Sequence, residues 1–404
     1  MNASYNDIVT TNGGTMSITI DLCQISDPIT RRRITKEVKS PQILEKLSKD
    51  SFWQVREAVA KNLNTAKETL ESLSKDEVCD IRRAVALNPS TSKEILNNLS
   101  KDEVYEVRNA VASNPNTSKD TLKNLSKDKK WWVRMEVVSN PNTAQEILNN
   151  LSKDEVYEVR NAVASNPNTA KEILSNLSED EKFGIRMAIC INPNTDQKIL
   201  NKFSEDINLH IRCEVAKNSS ITPEMLKKLS RDVWQVREAV ASNPSTPKDI
   251  LDNLSEDEEW NVREAVASNP NTAKEILNNL SKDESWYVRY EVAKSPNTTL
   301  ETLKNLSKDE SRCVRKAVCL NPNIDQKVLN NLSKDIDLDV LCAVAKNPRT
   351  TPKTLQNLSN DEHWILRNAV AANTSTSKEI LKKLLKDENS DVRLTAANNI
   401  NLCK

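Results

Sequence analysis

The sequence predicts an all-α fold, an α-solenoid of about 13–14 two-helix repeats of 26 residues, on three observations. Asp50, Asp76, Asp102, Asp128 and their successors to Asp387 stand 26 residues apart, with one 25-residue step between Asp232 and Asp257. An Arg follows each Asp by six residues, five at Asp232, from Arg56 to Arg393, and Leu341 is the one exception. Between successive Asp residues the apolar positions fall twice at helical spacing, divided by an Asn-Pro step. A fixed period of this size means stacked supersecondary units, each burying its apolar face only against its neighbours.

Residues 1–26 lie outside the pattern and read as an N-terminal extension, disordered or carrying a separate recognition element; Ser17 to Leu22 alternates weakly like a strand. Residues 27–49 form a shortened capping repeat, with Asp27 and Arg33 at the usual spacing but three residues missing before Ile43-Leu44. Residues 50–404 are one continuous array ending in a half-repeat cap, where Asn398, Asn399 and Asn401 offer a polar edge.

Asp102 to Lys127 serves as the template repeat. Val104, Val107, Ala110 and Val111 give an apolar stripe, predicting a helix A from about Glu103 to Ser113 with Asp102 as its N-cap and Asn114-Pro115 as its stop. Ten of the 15 prolines occupy this place in the period, where Asn is expected to tolerate the conformation that ends a helix. Thr65-x-x-Glu68, Thr143-x-x-Glu146, Thr169-x-x-Glu172 and Thr272-x-x-Glu275 read as capping boxes opening helix B, which carries Leu122 and Leu125 and ends near Ser126. Both helices are short and gain their stability from stacking. The Asp and Arg columns predict a ladder in which each guanidinium meets a carboxylate of its own or the next repeat.

Lys+Arg and Asp+Glu are both 58, so no general field draws the chain to nucleic acid or an anionic membrane. No stretch approaches the roughly 18 apolar residues of a membrane span, and Met1 to Ile20 lacks an export signal, so a cytoplasmic, monomeric protein is expected. Triplets such as Asn98-Leu99-Ser100 match the glycosylation pattern only as by-products of the repeat. The eight cysteines form no CxxC; Cys190 and Cys319 replace the usual Ala of their column and read as reduced packing residues. No metal, cofactor or catalytic constellation is expected: the two histidines, His210 and His363, are isolated, no phosphate loop or nucleophile elbow occurs, and the acids are too periodic to single out a pair.

The segment Asp-x-x-x-x-Val-Arg, as in Asp102 to Arg108, resembles the inter-repeat signature of HEAT repeats. The longer Val-Arg-x-Ala-Val-Ala-x-Asn-Pro-x-Thr followed by Leu-x-x-Leu and Asp, as in Val107 to Asp128, resembles the variant leucine-rich repeat, and the likeness runs from about Asp50 to Lys404. The resemblance implies a right-handed superhelix of alternating α-helices and short second helices, often 3₁₀ in that family; the Thr-x-x-Glu pattern favours a turn of α. Some members carry an iron–sulfur cluster ahead of the repeats, but this chain has only Cys23 there.

In a solenoid the constant columns build the scaffold, so binding is sought where repeats differ. Three residues before the Arg, or before Leu341, stand Trp53, Tyr105, Trp131, Tyr157, Phe183, Trp234, Trp260, Trp286 and Trp364, nine of the chain's 15 aromatics. Such a row is either a packing stripe or a line of interface anchors; Trp132 adjoins it, while Cys79, Leu209, Arg312, Leu338 and Ser390 interrupt it. The segment Ile189 to Lys198 recurs 129 residues later as Val318 to Lys327, a five-repeat duplication that extends a surface more readily than it builds a catalytic site. The expected function is a non-catalytic scaffold binding a protein or peptide along its curved repeat surface through aromatic and variable polar columns. Nucleic-acid binding or DNA repair by a HEAT-like protein, or an accessory subunit to an enzyme, are the competing readings; the Asp beside every ladder Arg weighs against a phosphate-tracking stripe.

Overall fold

The computed structural model describes residues 25–402, and among these it holds 29 helices and no strand. The reading of Ser17 to Leu22 as a strand, with Cys23 and Cys403, falls outside the described residues. Chain contacts divide into two compact units, one ending at Thr195 and the other beginning at Asp196. In each, nine-residue A helices such as Tyr105–Ser113 alternate with seven-residue B helices such as Lys119–Leu125. Within each unit an A helix such as Tyr105–Ser113 packs on the A helices before and after it and on its flanking B helices. The B helix is α, which settles the alternative that the sequence left open.

Burial follows the predicted stripes except at their first member, since Val104 is half-buried and precedes the helix. In the template repeat Val107, Ala110, Val111 and Ala112 of the A helix and Leu122 and Leu125 of the B helix are buried. Each such Val or Leu contributes about 1.5–3 kcal/mol when removed from water. Because the A helix is amphipathic and its buried side meets two neighbours, no repeat has a finished core without the next.

The helix ends differ from the sequence expectation. Asp102 does not cap the A helix: that helix starts at Tyr105, and its N-cap is Val104, which makes no side-chain cap bond. The Asp102 N–H still belongs to the preceding B helix, donating to Leu99 O, so its carboxylate closes a turn by accepting the Val104 N–H at 2.9 Å. Nor are the Thr residues capping boxes. Thr65, Thr143, Thr169 and Thr272 donate their hydroxyls to Val59, Val137, Val163 and Val266 carbonyls at 2.5–2.7 Å. Those carbonyls end the A helix and accept only the C-cap N–H three residues on, Asn62 N to Val59 O for one, so a lone pair is left for the adjacent hydroxyl.

The N-cap of helix B is therefore the next residue. Ser118 and Ser92 cap there, whereas Ala66, Ala144, Ala170 and Ala273 offer no side-chain bond. Ala170→Ser is expected to supply the missing acceptor and raise the stability of its unit by about 0.5–1 kcal/mol, read as an increased urea midpoint.

The first helix, Pro28–Thr35, follows Asp27 at once and is capped by it. Every ladder Arg occupies the fourth position of its A helix, so here the rung falls to Arg31, which bonds Asp50, and not to Arg33. The last helix, Ser390–Leu402, closes the second unit, but Asn399 is buried in it and not part of a polar edge.

Candidate binding surface

Two polar ladders tie the repeats together, and they define what is left for binding. In the first, Arg108 sends Nε and Nη2 to the two oxygens of Asp128, 20 residues on, at 2.6 and 2.9 Å. Its Nη1 returns to the carbonyls of Asp102 and Glu103 in its own repeat at 2.8 and 3.0 Å. The same geometry runs from Arg31–Asp50 to Arg160–Asp180 in the first unit. In the second it runs from Arg212–Asp232 to Arg315–Asp335, and resumes at Arg367–Asp387. The carboxylate thus comes from the next repeat, and the own-repeat Asp contributes only its backbone.

Burial pushes the ladder carboxyls up, but the guanidinium hydrogen bonds, the backbone N–H two residues ahead and the Arg charges outweigh it. Asp76, Asp102, Asp128, Asp154 and Asp257 are all held below the usual carboxylate range. Where Leu341 replaces Arg, Asp361 opens to water, its side chain 28% exposed against 7% for Asp128, and lies 3.1 Å from His363 Nδ1.

The second ladder was not foreseen. Asn114 is buried, and its Nδ2 donates to the Ala86 and Asn88 carbonyls of the preceding repeat at 2.6 and 3.0 Å, while its Oδ1 accepts from Asn116 N at 2.8 Å. Asn88, Asn140, Asn269 and Asn373 do likewise, and Asn399 is the final rung. Apart from Asn399, which lies within the last helix, these residues take extended backbone, φ −71° and ψ 126° at Asn114, not the left-handed conformation associated with helix stops. Asn is required for its amide, which donates twice and accepts once.

The aromatic column is the surface that the ladders leave free. All nine rings stand at the first position of an A helix and none is buried. Trp53, Tyr105, Phe183, Trp260 and Trp364 are exposed, as is Trp132 beside the column, and Trp131, Tyr157, Trp234 and Trp286 are half-buried. The rings also lean on the next repeat: Tyr157 lies against Gly184, and Trp260 stacks on Tyr287 with centroids 4.8 Å apart. Packing and exposure are therefore shared by the same side chains. Trp131 and Trp132 meet at 4.1 Å in the first unit, and Trp286 contacts Tyr287 and Tyr290 in the second.

The cysteines read as packing residues are buried at Cys190 and Cys319, and burial pushes the Cys319 thiol up to about 12. Both histidines are exposed.

Alternating short helices joined by residue-specific ladders at a 26-residue period decide the class. The chain is an α-helical repeat protein. Among solved structures it is similar to a leucine-rich repeat variant with a novel repetitive structural motif, at 26% identity over 55% of this chain and 88% of that one, TM-score 0.44. It is also similar to Kap95p in complex with RanGDP, at 11% identity over 94% of this chain and 60% of that one, TM-score 0.37. A third is Kap121p bound to RanGTP, at 12% identity over 93% and 49%, TM-score 0.35. The repeat protein thus spans only part of the length of the last two. No protein-family model and no curated protein matches the sequence. Among the described residues no helix is long and apolar enough to cross a membrane.

Proposed function

We propose that this repeat protein is a non-catalytic scaffold that binds a protein or peptide through the aromatic column and the polar positions beside it. One observation carries the reading: nine aromatic side chains recur at the first position of successive A helices, and every one keeps solvent-accessible surface although each has a neighbouring repeat to hide behind. Rows of partly exposed Trp and Tyr suit anchoring, since each offers a large rigid apolar face and a polar edge. The Arg column, in contrast, is occupied by carboxylates wherever its rungs form, so it has little charge to offer phosphates.

The test is affinity capture from the native cell with the full chain as bait, beside a bait carrying Trp53→Ala, Trp131→Ala, Trp260→Ala and Trp364→Ala. Recovered partners are expected to fall at least about tenfold with the substituted bait. Equal recovery from both baits, with circular dichroism confirming equal helicity, would remove the column from the binding surface.

A further inference from the structure

In several A helices a carboxylate at the fifth or sixth position is neutralised by a Lys at the ninth. Glu57 accepts from Lys61 at 2.5 Å, Glu214 from Lys217 at 3.0 Å, and Glu291 from Lys294 at 2.8 Å. The helices Trp234–Ser242 and Trp260–Ser268 break that rule together. Glu238 and Glu264 occupy their fifth positions, but the ninth positions hold Ser242 and Ser268. Among the described residues neither carboxylate has an ion-pair or hydrogen-bond partner. Glu136, followed by Ser139, is the comparable case in the first unit, but it stands alone there.

These two acids do not sit in a neutral setting. Asp232 through Ser268 hold nine acidic and three basic side chains, a net of −6, in a chain whose total is zero. The three basic groups are Lys248 and the ladder residues Arg237 and Arg263, which are bound to Asp257 and Asp283. Burial pushes the Glu264 carboxyl up, and the charges of Glu291 and Glu238 push it further, while Lys294, held by Glu291, offsets only part of this.

Each unpaired acid also lies one helical turn from a column ring, Trp234 with Glu238 and Trp260 with Glu264, which places ring and carboxylate on one face. Lys294 displays what such a face accepts. Its ammonium is held by Glu291 and at the same time stands 5.1 Å above the Tyr290 ring. A cation between a π-face and a carboxylate gains from both, more so where water is partly excluded.

We propose that the strip formed by Trp234, Trp260 and Trp286 with Glu238 and Glu264 receives an extended, Arg- or Lys-bearing peptide segment, whose cations take the places that Lys217 and Lys294 fill in the flanking helices. This rests on the scaffold reading and adds the partner's chemistry. Packed helices lie roughly 8–10 Å apart, and a chain in the extended polyproline II form advances about 3.1 Å per residue with about three residues per turn, so the matching basic side chains recur on one face every third residue.

The test uses the full chain and fluorescence anisotropy with labelled peptides of repeating Arg-Ser-Gly, about 15 residues, long enough to cross the three Trp-bearing helices. Glu-Ser-Gly repeats and a peptide of the same composition with its Arg residues clustered at one end serve as comparators. Saturable binding of the spaced Arg peptide is expected, at least about tenfold weaker in Glu238→Gln/Glu264→Gln and in Trp260→Ala/Trp286→Ala. Removing the same charge elsewhere, by Glu172→Gln/Glu275→Gln on exposed B-helix positions, is expected to leave binding unchanged. Equal weakening by the distant Glu pair, equal binding of the Glu peptide, or no binding at all would overturn the proposal. Loss of Arg-peptide binding with retained, Trp-dependent partner capture would refute the partner chemistry alone; capture indifferent to the column Trp residues would refute the scaffold reading.

Discussion

Asn114→Ala is expected to destabilise the first unit by about 3 kcal/mol, far more than a polar-to-Ala change at an exposed turn. The side chain is 2% exposed, and its loss strands the buried Ala86 carbonyl, takes from Asn88 O one of its two donors, the Thr91 N–H remaining, and leaves Asn116 N without its acceptor. Asn114→Asp is the sharper variant. It keeps the shape but turns a donating amide toward two carbonyls into an ionised acceptor, so it should be at least as damaging at neutral pH and partly relieved by acid. Because a stack of repeats need not unfold in one step, the readout is amide hydrogen exchange resolved along the chain. Exchange is expected to rise first in the helices around Ala86 and Ser113, with distant repeats retaining their protection.

The Arg108–Asp128 rung carries the second large effect. Arg108→Ala is expected to cost about 2–4 kcal/mol, because it leaves the largely buried Asp128 carboxylate without its bidentate partner and removes the donor to two carbonyls. Arg108→Lys keeps the charge but not the planar fork, so it should recover only part of the loss. The same geometry sets the acid response. The ladder carboxyls titrate below their ordinary value of 3.8 in the folded chain. Their contribution is complete above that value and is lost as pH falls through the depressed folded values. The thermal midpoint should therefore hold steady from neutrality to about pH 5 and drop steeply below about pH 4. In the second unit, Leu341→Arg would restore the missing rung to Asp361 and raise stability, provided that the half-open carboxylate turns back from His363.

The period, the helix pairs, the buried stripes and the Arg–Asp columns were legible because each leaves a mark at a fixed spacing within one repeat. The Asn ladder was not. Asn before Pro also suits a helix stop, and the destination of its amide lies in the preceding repeat, which the local string does not display. Thr65 and its equivalents misled for the same reason: Thr-x-x-Glu satisfies the capping pattern, but the hydroxyl has a nearer claimant in the Val59 carbonyl at the end of the A helix. At the binding surface, the sequence placed the rings in one column but not their shared state, leaning on the next repeat and still open to solvent. The absent lysines beside Glu238 and Glu264 became meaningful only once Lys61, Lys217 and Lys294 were seen paired.

Amide hydrogen exchange of the protein with a captured partner bound tests most directly where the scaffold acts. The scaffold reading places new protection in the first turns of the A helices, around Trp260 and Trp286 above all, with the B helices such as Lys274–Leu280 unchanged. Protection gained on the B helices, with the A-helix starts exchanging as in the free protein, would contradict it.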